Sequence, residues 1–147
     1  MGLLNSLQGD RLYFDVNIWI YALEGYPTFI TELTALLQAI DQGKLTAVTS
    51  ELSLAEALTK PMKNQDQNTQ LLYQQAISNR ANVEVLPIDR AILIKAAQLR
   101  AITKLKLPDA IHAATALSSR CSTFLTNDKG FFTVPELTTI LLSDVIL

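Results

Sequence analysis

Cysteine and histidine each occur once in this chain of 147 residues, as Cys121 and His112. A lone cysteine excludes an internal disulfide and a cysteine-rich zinc site. Glycine is scarce too. The five present (Gly2, Gly9, Gly25, Gly43 and Gly130) are too scattered to build a phosphate loop or a dinucleotide fingerprint. No GxSxG sequence marks the nucleophile elbow of an acyl hydrolase. No apolar run reaches the roughly 18 residues of a membrane span. The opening MGLLNSLQGDRLYFD has no basic leader or long hydrophobic region, so no secretory signal is expected and the simplest location is cytoplasmic. Charge of either sign is barely in surplus. Twelve Lys and Arg against 14 Asp and Glu give a net −2, far from the basic balance of a protein that coats duplex DNA. That balance still permits an enzyme acting on nucleic acid, provided its acids share one pocket neutralised by metal ions.

What is present is apolar and well ordered in pattern. Hydrophobic residues make up 49 % and the mean hydropathy is +0.22, as in a compact protein with a real core. Internal repeats, low-complexity tracts and Pro/Gly/Ser linkers are absent, so residues 1–147 are expected to form a single domain. Strand and helix patterns alternate. RLYFDV, LTAV, VEVLPI, STFLTN and TTILLS read as strands, being short, apolar and rich in β-branched or aromatic residues. Between them lie helical patterns. NIWIYALE is followed by TFITELTALLQAIDQGK, with Phe29, Leu33, Leu36, Leu37 and Ile40 at helical spacing and Gly43 as its stop. SELSLAEALTK is capped by Thr49 or Ser50 and ended at or just before Pro61; another helix opens in KNQDQNTQ and runs through LLYQQAISNR. DRAILIKAAQLRAITK starts on Asp89, and LPDAIHAATALSS follows. The alternation predicts an α/β protein, with a mainly parallel five-stranded sheet covered on both faces.

The acids are best weighed against this frame, because open α/β sheets bind ligands beyond the carboxyl ends of their strands. Asp15 closes the first strand, Asp128 follows the fourth, Glu56 lies on the helix after the second, and Asp109 sits in a first helical turn. Each has an ordinary explanation. Asp15 suits a helix cap, Glu56 suits an i, i+4 pair with Lys60, Asp109 suits the helix dipole, and Asp128 in TNDKG suits a turn. Their shared edge of the sheet is what ordinary explanations leave unaddressed. Grouped carboxylates without matched Lys or Arg repel one another and raise their own pKa values. Hard cations such as Mg²⁺ or Mn²⁺ reverse that penalty, since they prefer oxygen ligands. Such ions activate water and stabilise the leaving oxygen in phosphodiester hydrolysis.

Four segments resemble the motifs of PIN-domain nucleases, particularly the VapC-like toxins of toxin–antitoxin pairs. LYFDVNIWIYAL resembles the opening strand with its Asp and, two residues on, Asn; SELSLAEAL resembles the second motif, with Glu56 and not Glu51 as its acid. KLPDAIHAATAL places the third acid at Asp109, and FLTNDKGF matches Thr126 and Asp128 to the last hydroxyl and acid. The four occur in family order over residues 11 to 132. The resemblance implies a three-layer α/β/α fold and endoribonuclease activity dependent on Mg²⁺ or Mn²⁺. It further implies Asp15, Glu56, Asp109 and Asp128 as metal-binding catalytic acids, with Asn17 and Thr126 supporting them by hydrogen bonds. An RNA substrate, a homodimer and a cognate antitoxin follow from the same likeness, with no membrane involvement. Gly130 stands where the family more commonly has an acidic or polar residue, which leaves a fifth acidic ligand unassigned.

His112, three residues after Asp109, is assigned a structural role or one behind the acids in preference to that of general base. Lys104, Lys106 and Lys129 flank the acids and read equally as phosphate contacts or solvated surface. Trp19, Tyr21 and Phe131 are possible base-stacking residues, with core packing the better reading of Trp19. Three rival functions stay open. An aspartyl phosphohydrolase would use Asp15 as nucleophile, but the DxD pattern of such enzymes is Asp15-Val16-Asn17 here. A receiver-like binding module would carry a phospho-accepting Asp at the end of its middle strand, whereas LTAV leads to Thr49 and Ser50, and VEVLPI to Asp89 only after Pro87. A degenerate PIN-like scaffold would not need all four acids.

Overall fold

The computed structural model describes residues 2–145. Its elements in chain order are α1 (Leu3–Ser6), β1 (Arg11–Phe14), α2 (Val16–Glu24), α3 (Ile30–Asp41), β2 (Thr46–Ser50), α4 (Glu51–Lys63) and α5 (Gln67–Ala76). There follow β3 (Val83–Leu86), α6 (Arg90–Ile102), α7 (Leu107–Ser118), β4 (Thr123–Thr126), a 3-10 turn at Lys129–Thr133, β5 (Thr139–Leu141) and α8 (Leu142–Val145). The five strands form one sheet in the order β3-β2-β1-β4-β5, with every adjacent pair parallel. The α/β expectation holds, and so does the layering.

Layering follows from the two-residue period of a strand. Leu12 and Phe14 of β1, Ala47 of β2, Val83 and Val85 of β3 and Leu125 of β4 turn to one face, against Ile18, Trp19, Leu33, Leu36, Ala57 and Tyr73 from α2 to α5. The residues between them, Tyr13, Val48 and Phe124, turn to the other face against Ile92, Ala96 and Leu99 of α6 and the alanines of α7. Ala110, Ala113, Ala114 and Ala116 are all fully buried. With so little side chain, α7 lies close to the sheet while α6 covers its outer side.

Local signals account for most helix ends. Ser50 caps α4 by accepting from Leu52 N, Asp66 caps α5 from Thr69 N, and Asp89 caps α6 from Ile92 N. Gly43 takes a left-handed φ of 78° after α3, with Gly43 N bonded to Ile40 O and Lys44 N to Ala39 O. Several boundaries differ from the sequence reading: the helix expected through Arg80 ends at Ala76, and two others have a clear physical reason. Helix α4 runs past Pro61 to Lys63, with the buried ring inside its last turn and the Pro61 carbonyl accepting from Asp66 N and Gln70 Nε2. The strand expected over TTILLS stops at Leu141, and the chain winds into α8. A short apolar run has no periodicity to separate strand from helix. The edge strand β3 is closed off from further pairing by its preceding loop. Arg80 and Val83 exchange backbone hydrogen bonds, and Val85 N donates to Asn79 Oδ1.

Candidate active site

Strand order reverses between β1 and β4, the neighbours at the centre of the sheet, so a crevice opens beyond their carboxyl ends. Asp15 and Asp128 emerge at that crevice from the two strands that define it. Asp15 N donates to Leu125 O, continuing the β1–β4 ladder past the last paired residue. Its side chain is 5 % exposed and caps α2, with Oδ1 accepting from Asn17 N at 3.1 Å. Oδ2 accepts from Thr126 Oγ1 at 2.6 Å. The same Thr126 oxygen accepts from Asp128 N at 3.1 Å. One buried hydroxyl therefore ties the acid of β1 to the backbone of the acid after β4. Asn17 serves through its backbone N–H, whereas sequence reasoning had singled out the residue without distinguishing main chain from side chain.

Both α7 and α4 bring an acid towards this crevice. Pro108 in the first turn of α7 is followed by half-buried Asp109. Its carboxyl is raised above the ordinary value, first by burial and then by the negative charges of Asp128, Asp15 and Glu56. Asp15 is raised too, mainly by burial, while Thr126 and Asn17 oppose the shift. Three other carboxylates act on Asp109, while only His112 among the leading influences favours its ionised form. Mutual repulsion of this kind is what a cation relieves.

Glu56 does not pair with Lys60. Its Oε1 lies 2.6 Å from His112 Nε2, and His112 Nδ1 lies 2.6 Å from the hydroxyl of Tyr13. His112 is 1 % exposed and thus stands behind the acids, within the interior. Asp128 is exposed and accepts from Gly130 N at 2.8 Å, the turn role open to it from sequence. A side chain on Gly130 would start 3.2 Å from that carboxylate oxygen and 3.5 Å from Leu105. Hard oxygen donors suit Mg²⁺ or Mn²⁺. Among the described residues, however, no three His, Cys, Asp or Glu side chains are gathered into a set able to hold an ion. Two of the acids are engaged elsewhere, Glu56 by His112 and Asp128 by Gly130 N.

The aromatic residues are rearranged relative to expectation. Trp19 and Phe131 are each 1 % exposed and pack in the core, so Phe131 has no free face for a base. Phe132, one residue on, is 55 % exposed. Tyr21 packs against Tyr26 and Phe29. No period in KGFFT separates the two phenylalanines, and the 3-10 turn alone decides which faces inward. Lys104, Lys106 and Lys129 are exposed, and buried Leu105 between the first two lies beside Gly130. Sequence reasoning overlooked Tyr13, whose place in LYF reads simply as a strand aromatic. It likewise overlooked the buried hydroxyl of Ser53, and took Thr49, 2.7 Å from it, only as a candidate cap.

The PIN domain profile matches residues 12–137. The chain belongs to the PIN domain family. No curated protein is significantly similar to it in sequence. Among solved structures, this PIN domain is similar to VapBC2 from Rickettsia felis bound to a promoter DNA fragment, with a TM-score of 0.71 and 19 % identity over 89 % of this chain and 98 % of that one. It is similar to a Klebsiella pneumoniae toxin–antitoxin complex, with a TM-score of 0.67 and 25 % identity over 89 % and 97 %. DNA-bound VapBC from Salmonella typhimurium gives 0.70 and 20 % over 91 % and 99 %. The likeness establishes the shared fold across nearly the whole of each chain. Receiver-like modules, whose strand order is 2-1-3-4-5, do not have this topology. Among the described residues no helix is long and apolar enough to cross a membrane.

Proposed function

We propose that this PIN domain is a metal-dependent endoribonuclease and the toxin of a toxin–antitoxin pair. The observation that carries the reading is the pair of strand-end acids at the β1–β4 crevice, where the buried Thr126 hydroxyl ties Asp15 Oδ2 to Asp128 N. Membership of a nuclease family over residues 12–137 supports it. Asp15, Asp109, Asp128 and Glu56, which are not gathered into a ligand set among the described residues, would have to draw together to hold Mg²⁺ or Mn²⁺ directly or through water. Such an ion, when bound, lowers the pKa of a water and offsets the charge of the scissile phosphate.

The chain's own residues supply position. Thr126 donates to Asp15 Oδ2 and Asn17 N to Oδ1, which leaves each oxygen a further lone pair aimed away from its donor. The hydroxyl of Thr126 also anchors Asp128 N, so the two strand-end acids keep a fixed relation. Exposed Lys104, Lys106 and Lys129 are available to the RNA backbone, and Phe132 to an unstacked base. Products with a 5′-phosphate and a 3′-hydroxyl, a homodimer, and a cognate antitoxin complete the reading. The antitoxin is supported by the neighbouring structures, which are themselves VapBC or toxin–antitoxin complexes.

The test is cleavage of defined RNAs by purified protein with Mn²⁺, with and without EDTA. Cleavage is expected with metal alone, and Asp15→Asn should abolish it while the fold is retained. Cleavage by Asp15→Asn at the parent rate would refute the assignment of the acids. A fluoride-trapped phosphate adduct at Asp15 would instead identify a phosphohydrolase. Light scattering of the purified chain, alone and mixed with the product of an adjacent small reading frame, checks dimer and antitoxin.

A further inference from the structure

We propose that the outward face of α6 is a docking surface for a helix of a partner protein, one whose apolar stripe is bordered by Asp and Glu. Helix α6 carries none of the proposed catalytic acids, so this surface goes beyond the nuclease reading and is independent of it.

One side of α6 is spent on the core, where Ile92, Ala96 and Leu99 are buried. On the other side Leu93, Ile94 and Ile102 are 45 %, 51 % and 65 % exposed, and Ala97 and Ala101 are exposed between the two isoleucines. Ile94, Ala97 and Ala101 follow the three- and four-residue steps of a helical seam. A solvated outer face is polar at such steps. Here Gln98 is the only uncharged polar residue of the helix.

Charge on this helix has one sign. From Arg90 to Leu107 the chain places Arg90, Lys95, Arg100, Lys104 and Lys106, and none of its 14 Asp and Glu. Among the described residues, none of these cations is paired with a carboxylate. Arg90 stands in the first turn of α6, the end at which a helix dipole disfavours a cation. At about 100° per residue, Lys95 lies about 100° to one side of Ile94 and Arg100 about 120° to the other. Cations thus border the apolar seam on both flanks. A second copy docked through the same helix would set cation against cation. Single-stranded RNA takes aromatic platforms, and a bilayer surface favours Trp or Phe, but α6 has no aromatic residue. An amphipathic helix with acidic flanks matches both the seam and its borders.

The probes are two synthetic helical peptides of about 20 residues, with Leu along the seam and either Glu or Lys beside it. Fluorescence anisotropy with the full chain in EDTA should show the Glu peptide binding and the Lys peptide not. Affinity should fall as salt rises from about 0.05 to about 0.5 M. Ala97→Glu puts an anion in the middle of the seam at an exposed position. It should weaken the Glu peptide at least about tenfold with the circular dichroism unchanged. Arg90→Glu combined with Lys95→Glu should shift the preference from the Glu peptide towards the Lys peptide, which decides the matter even where Ala97→Glu does not fold. Binding of neither peptide, equal binding of both, or Glu-peptide binding that both sets of substitutions leave unchanged would overturn the proposal. So would a different occupant. A dimer that Ala97→Glu dissolves in light scattering identifies a second copy. Co-sedimentation with phosphatidylglycerol vesicles, or RNA binding in EDTA, that Ala97→Glu abolishes identifies a membrane or RNA.

Discussion

Asp15 is buried, accepts two hydrogen bonds, and still has its carboxyl raised, because desolvation outweighs them. A carboxyl that holds its proton more tightly in the folded chain stabilises the fold fully below its unfolded value of about 4, and that contribution is lost as pH rises through the folded value. Asp15→Asn carries no such charge. In EDTA the variant should therefore melt at a higher temperature than the parent at about pH 7, with the gap narrowing towards about pH 4. A gap that widens on acidification would contradict the burial of the charge. Thr126→Val tests the support from the other side. It keeps the volume but leaves a buried carboxylate oxygen without its donor, so a loss of about 1–3 kcal/mol in urea unfolding is expected, together with weaker cleavage. Asp15 was legible from the sequence because it closes an apolar strand, and Thr126 through the resemblance of FLTNDKGF to the last family motif. The buried partners of His112 were not, because nothing in LYF or AIHAA says which ring meets which.

Helix caps were the most readable local feature, for a capping side chain bonds only two or three residues ahead. Asp89 accepts from Ile92 N at the start of α6, which carries none of the proposed catalytic acids. Asp89→Ala should cost about 1 kcal/mol in chemical denaturation and leave Mn²⁺-dependent cleavage at the parental level. Reduced cleavage would mean that α6 shapes the crevice through its hairpin with α7. Helix α4 shows where local rules yield. Pro61 removes a donor within its last turn, yet the helix continues, because the ring is buried and the Pro61 carbonyl is taken by Asp66 N and Gln70 Nε2. At β5 the contest between strand and helix was decided by packing. Leu141 and Leu142 are both buried, although one ends a strand and the other begins a helix.

On the scale of the molecule, the proposed ion site and the fold should be coupled. An ion that binds the folded chain alone adds about 2.7 kcal/mol when free Mn²⁺ is about 100 times its Kd. Thermal melts should show the parent rising with Mn²⁺ and Asp15→Asn responding far less, the reverse of their order in EDTA. Equal shifts would place the ion elsewhere. The bidentate pair of Arg11 and Glu84, at 2.7 and 3.3 Å, crosses the sheet between β1 and β3. With both side chains substantially exposed, Glu84→Gln should cost below about 1 kcal/mol. Alternating apolar segments of strand and helix length sufficed to predict a parallel sheet with two covered faces, and position after a strand sufficed to nominate Asp15 and Asp128. These are short-range properties, written in spacing and hydropathy. The order β3-β2-β1-β4-β5 was not among them, and with it the crevice between β1 and β4. Nor were the burial of Phe131 beside an exposed Phe132, or the line from Tyr13 through His112 to Glu56. Those depend on contacts between residues as far as 111 positions apart, which only the packed chain brings together.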